Sequence, residues 1–195
     1  NPAGLVQLEE SEFTWTRTLN NRDVINYDDF LAVATYDPKL GLAYAVGYIN
    51  VADYYPVALY EDSLIYQDNE IKWLIFSLAK RIDERLSIGG NIRYMTYGRG
   101  YETAYDKIYD SATFLAFDLS IYLQATDKLR FGLLVQDLNR PEITLFEGEL
   151  NLYYIRNVRL GISYQITDNL LVSASIYDLL QEAPMDNRLR VGLEQ

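Results

Sequence analysis

Apolar and polar positions alternate with a period of two through the second half of the chain. From residue 115 to 124, Leu115, Phe117, Leu119, Ile121 and Leu123 hold every odd position, while the even positions are mostly small or polar. Residues 129–136 and 159–166 divide in the same way. A helix would space its apolar residues three and four apart, so the pattern predicts strands with one apolar face. Similar strands are predicted over residues 12–19, 30–36, 42–50, 71–79, 86–96, 170–178 and 189–194, making about ten in an antiparallel meander.

The connections sharpen this expectation. Short turns are predicted at residues 37–40, 80–85, 125–128 and 167–169, alternating with longer stretches at 20–29, 51–70, 97–110, 137–157 and 179–188. Three of the short turns share a wording: Arg81-Ile82-Asp83-Glu84-Arg85-Leu86, Ala125-Thr126-Asp127-Lys128-Leu129 and Ile166-Thr167-Asp168-Asn169-Leu170. They recur roughly every 40 residues, the length of two ten-residue strands with a long loop and a tight turn. Short turns on one rim and long loops on the other predict an all-β, antiparallel transmembrane β-barrel, with short periplasmic turns and long external loops. The reading treats residues 1–195 as one barrel domain in the bacterial outer membrane, incomplete at its C-terminus because the strand from Leu189 ends with the chain.

Face composition fits this architecture. The face opposite the apolar one carries mainly Gly, Ala, Ser, Gln and Asn with scattered charges, as in Ser87, Gly89, Asn91, Arg93 and in Ala116, Asp118, Ser120. The apolar face is then the lipid face, and Arg93, Asp118, Arg130, Gln136 and Arg159 are candidate lumen-facing residues. The arginines could form an anion-attracting ladder opposite Asp118, or the charges could pair to hold a filled interior. Twelve of the 18 tyrosines, Tyr54, Tyr66, Tyr97 and Tyr154 among them, cluster near predicted strand ends, where an interfacial aromatic girdle would lie.

Charge and composition exclude several functions. A net charge of -11 argues against nucleic acid as a partner. The absence of both Cys and His removes disulfides, cysteine zinc sites, the usual general base and the commonest metal ligand. No nucleophile constellation is recognisable, so no catalytic, cofactor-binding or metal site is assigned and the chain reads as no enzyme. Asp53, Glu61, Asp62, Asp68 and Glu70 lack the spacing of a calcium loop and read as a solvated acidic rim. Gly98-Arg99-Gly100 lacks the Lys-Ser/Thr of a phosphate loop and reads as flexible external loop.

Two segments carry a family resemblance. Asn1-Pro2-Ala3-Gly4-Leu5 resembles the opening of the barrel in FadL-like long-chain fatty-acid transporters and the related PorV/PorQ outer-membrane groups. The run from Thr126 through Leu133, Gln136-Asp137-Leu138-Asn139 and Pro141 to Ile143 is similar to a strand of the PorV side, and residues 160–179 continue it in the same order. The resemblance implies a lipid bilayer as partner and either transport of hydrophobic small molecules or a role beside secretion-system proteins in secretion or surface anchoring. The alternative is a soluble antiparallel β-protein acting as a binding or structural module.

Overall fold

The computed structural model describes residues 1–20, 25–60, 63–181 and 188–195. Ten strands form one antiparallel sheet: β1 (Glu12–Asn20), β2 (Ile25–Asp37), β3 (Leu42–Tyr60), β4 (Ser63–Arg81), β5 (Leu86–Glu102), β6 (Lys107–Gln124), β7 (Leu129–Gln136), β10 (Asn157–Thr167), β11 (Leu170–Ile176) and β12 (Leu189–Glu194). They pair in chain order, the sole interruption being β7 beside β10. The interruption is a separate hairpin, β8 (Glu142–Leu145) and β9 (Leu150–Tyr153). No helix among the described residues is long and apolar enough to cross a membrane.

Side chains at the tight turns do what backbone alone cannot. Asp83 Oδ1 accepts from the main-chain N–H of Arg85 at 2.7 Å and of Leu86 at 2.8 Å. In the next copy the acceptor is Thr126 Oγ1, at 3.2 Å from Lys128 N and 3.0 Å from Leu129 N. The working position is therefore three residues before the closing Leu, filled by Asp or Thr, since both offer a short oxygen that mimics a turn carbonyl. Asp127, although it aligns by eye with Asp83, sits one residue away from that position.

The opposite rim differs from expectation. Residues 51–70 are almost wholly strand, because β3 and β4 pair from Leu42↔Lys80 to Tyr60↔Ser63, with one register shift between Pro56 and Ala58. Asp53, Asp68 and Glu70 thus stand on strands, while Glu61 and Asp62 lie outside the described residues. Residues 97–110 likewise shrink to a four-residue connection between β5 and β6. Gly98-Arg99-Gly100 is mid-strand: a Cβ on Gly98 would lie 1.9 Å from the Tyr109 hydroxyl, so the glycine makes room for a tyrosine ring across the ladder. Polar, Tyr-rich composition suggested loops there, but cross-strand pairing overrides composition.

The two faces are distinct. One bears the apolar side chains Tyr44, Val46 and Tyr48 of β3, Leu74, Phe76 and Leu78 of β4, and Leu115 through Leu123 of β6, all substantially exposed. On β6 this band runs nine residues, about 27 Å along the strand and about 20 Å in height after the tilt usual for a barrel. Above it the same face turns polar, with Asp68, Glu70 and Lys72. The other, inner face carries the buried Ala43, Ala79, Ser87, Arg93, Ala116, Asp118 and Ser120.

Against that inner face packs a short N-terminal 3-10 helix, Pro2–Gln7, with Pro2, Ala3 and Val6 buried. Ala3 N donates to Ser120 Oγ at 2.9 Å, Asn1 Nδ2 to Ile121 O at 3.1 Å, and Arg81 Nη2 to Val6 O at 2.5 Å. Higher up, Ile143 and Leu145 of the β8–β9 hairpin pack against Tyr97, Phe114 and Tyr154. The segment 137–157, expected as an external loop, is therefore folded inward. Its apolar residues gain burial there that a water-exposed loop would forgo.

Candidate functional site

Between the helix and the hairpin lies a buried charge network. Arg93 Nη2 donates to Asp118 Oδ1 at 2.8 Å and to Asp137 Oδ1 at 2.5 Å, and Arg93 Nε donates to Asp118 Oδ2 at 3.0 Å. Asp118 also accepts from Asn91 Nδ2 at 2.9 Å and from the main-chain N–H of Asp137 at 3.0 Å. The guanidinium lies 5.3 Å from the Trp73 ring centroid, a cation–π contact away from water. One cation thus faces two carboxylates, all nearly inaccessible to solvent.

Burial raises the Asp137 carboxyl above its ordinary range, and the Asp118 charge adds to this, although Arg93 pulls the other way. Burial also pushes the Tyr154 phenol up to about 12, with help from the Asp137 charge, so this hydroxyl stays protonated at any ordinary pH. The Asp137 shift has a sign that can be tested. A carboxyl that holds its proton more tightly folded than unfolded stabilises most below the unfolded value of about 3.9, and loses that contribution as pH rises through the folded value. We expect the unfolding midpoint in detergent to fall across this window in the wild type and to flatten in Asp137→Asn. Equal slopes for the two proteins would show that Asp137 does not titrate as described.

The network sits where the sheet parts. β7 accompanies β6 only from Leu119 to Gln124, ends at Gln136, and the chain then turns inward through Asp137 at φ 56° and Arg140 at φ 46°. Outside this parting, on the apolar face, is a hollow of about 810 Å³ lined by Ile88, Gly90, Phe117, Leu119, Leu133 and Leu138 among others. Its walls are almost entirely apolar. Gly90 forms part of the floor, where a Cβ would lie 2.8 Å from Asp118 O.

The five residues singled out from sequence do not converge. Arg93 and Asp118 pair directly, as above. Arg159 makes no direct bond to this pair but acts electrostatically on Asp118 and Asp137; its Nε donates to Asn157 Oδ1 at 3.1 Å and its guanidinium lies 4.5 Å from the Tyr177 ring centroid. Arg130, opposite Ser163, has a buried Nε with no partner among the described residues. Gln136 ends β7 opposite Asn157. Asp137 escaped sequence reading because a residue that leaves its strand at positive φ breaks the alternation that marks a face; Trp73, inside β4, and Asn139, beyond β7, join the site through contacts between distant segments.

Tyrosine placement also departs from a simple girdle. Tyr54 and Tyr66 stack with centroids 4.9 Å apart, yet Tyr97 and Tyr154 are turned inward against the hairpin. Among the described residues no group of three or more acidic, His or Cys side chains is placed to hold a metal ion.

No family model and no curated protein matches the sequence. The structure is similar to that of the CymD monoaromatic hydrocarbon channel, with a TM-score of 0.63 at 14% sequence identity over 91% of this chain and 62% of that one. What the two share is the fold. The chain spans about 62% of the length of CymD.

Proposed function

We propose that this chain is the wall of an outer-membrane β-barrel that passes hydrophobic small molecules, as a member of the FadL-like group. The observation that carries the reading is the apolar hollow beside the parted strands β6 and β7, set at the height of the apolar band. A nonpolar solute held by the interior reaches the bilayer there with the least exposure to water, since the walls of the hollow are almost entirely apolar. Similarity to a channel for monoaromatic hydrocarbons supports the same class of solute. Arg93, Asp118 and Asp137 then form the polar closure between interior and hollow, with Arg130, Gln136 and Arg159 on the remaining lumen wall.

The secretion or anchoring role is less well supported. Such a role would bind partner proteins through the long loops, 137–157 above all, whose apolar side chains Ile143 and Leu145 are buried against the inner face. The test is passage of toluene into liposomes carrying the purified protein. Leu119→Trp and Leu133→Trp, both on the outward face, fill the hollow and are expected to slow passage about tenfold, equivalent to about 1.4 kcal/mol, while heat-modifiable mobility is kept. Unchanged passage in both variants would refute the role of the hollow, and a protein that stays monodisperse in buffer without detergent would refute the membrane reading itself.

A further inference from the structure

Across strands β7, β10, β11 and β12 the inner face is stripped of bulk. Gly132, Gly161 and Ser175 lie in one row that ends at Arg190, and the row below runs from Arg130 through Ser163 and Ser173 to Gly192. Two adjoining recesses of about 250 and 240 Å³ open over this floor, with Arg130 bordering one and Arg159 and Tyr177 the other. Packing does not demand the emptiness at its centre: a Cβ on Gly161 would meet nothing nearer than 3.9 Å. The missing side chains leave a bay.

Three arginines frame the bay, in a chain whose net charge is -11. The guanidinium groups of Arg159 and Arg190 lie 4.5 and 4.1 Å from the centroid of the one Tyr177 ring, which attracts both and cancels neither charge. The Arg130 Nε is buried without a hydrogen-bond partner among the described residues. None of the three forms an ion pair among those residues. Asp118 and Asp137, which act on Arg159 from a distance, are held by Arg93, and Asp168 and Glu194 share a recess with Arg130 without reaching ion-pair distance. Two like charges on one ring repel, and an anion beside them removes that cost.

We propose that this bay binds a phosphate group, free or carried by a small hydrophilic molecule. Guanidinium forks at its rim and the hydroxyls of Ser163, Ser173 and Ser175 on its floor supply donors from several directions. That suits a tetrahedral oxyanion, whose oxygens point all ways, better than a carboxylate, whose two oxygens share one plane. Glycine and serine across the floor give an apolar tail no side chain to pack against, so the occupant differs from the nonpolar solute of the hollow, which lies on the opposite face. The site goes beyond solute passage, and either can fail without the other.

Inorganic phosphate is titrated calorimetrically onto the purified full chain in detergent, at neutral pH and constant ionic strength, with acetate, chloride and glycerol phosphate titrated in parallel. The proposal requires a saturable phosphate site at least about tenfold tighter than for acetate or chloride, and a loss of about tenfold or more in each of Arg159→Gln and Arg190→Gln, as for removal of a charge-assisted contact. Gly161→Val, which fills the bay and leaves every charge in place, weakens binding comparably. Ser175→Asp, opposite Arg190 in the ladder, abolishes it and raises the urea midpoint of the heat-modifiable species, because a built-in carboxylate takes the place of the anion. Tighter binding of the ester than of the free ion assigns a carried phosphate, and the reverse assigns the ion. Absence of saturable binding, or indifference to both arginine variants, overturns the proposal. Equal affinity for acetate or chloride also overturns it, reducing the bay to a diffuse positive field. Should an arginine variant fail to fold, Gly161→Val and Ser175→Asp still decide the outcome.

Discussion

Arg93→Met lowers the stability of the sheet by about 3–5 kcal/mol, the range for removing one partner from a buried ionic group. The substitution keeps most of the side-chain volume but leaves Asp118 and Asp137 facing each other without a cation. Asp118 also loses two of its donors, though Asn91 and the Asp137 N–H remain. Each carboxylate must then be protonated or draw in water, so the loss is largest at neutral pH and shrinks in acid. The measurement is the urea midpoint of the heat-modifiable species on gels, at neutral and acidic pH. A triple variant, Arg93→Met with Asp118→Asn and Asp137→Asn, removes all three charges and regains most of the loss, because replacing a buried charge cluster by neutral groups is often close to neutral overall. If the single and triple variants proved equally unstable, packing by the arginine stem rather than charge would be the explanation.

Gly89→Val expels the N-terminal helix from the inner face. A Cβ on Gly89 would lie 2.7 Å from Ala3 N, 2.9 Å from Ala3 Cα and 2.9 Å from Pro2 C, all main-chain atoms that cannot swing aside. The Ala3–Ser120 hydrogen bond and the burial of Val6 against Ala43 and Ala79 are lost together. We expect a cost of about 2–3 kcal/mol, typical of overpacking with lost contacts. Residues 1–10 should become sensitive to limited proteolysis, scored by intact mass. Gly132→Ala is the control: its Cβ meets only the Asn1 side-chain amide, at 2.8 Å, which can rotate away. Resistance of the Gly89→Val protein to proteolysis would mean that the helix can dock elsewhere.

Both expectations rest on features of unequal legibility. β7 and β12 occupy the predicted ranges, because large apolar residues hold every second position in both. The upper halves of β3 to β6 were misread as loops, since Asp53, Asp68, Glu70 and the Gly98-Arg99-Gly100 run look like loop composition. A long antiparallel ladder tolerates polar residues on both faces because cross-strand pairing satisfies the main chain whatever the side chains are. The pairing of Arg93 with Asp118 was one of two open readings of the inward charges, and Asp137, which completes the network, was absent from both.

What the sequence by itself determined is the alternation, hence the division into an apolar and a small-polar face, the meander order and the position of the tight turns. These are local properties: side chains alternate because strand geometry forces them to, and turns form where a short oxygen can accept from the next two or three N–H groups. The tertiary structure alone places residues 1–8 and 137–157 on the inner face, sets one arginine between two carboxylates, and parts β7 from β6 beyond Leu119. Each depends on contacts between residues from 19 to 120 positions apart, and no periodicity along a chain records which distant segments its inner face will accept.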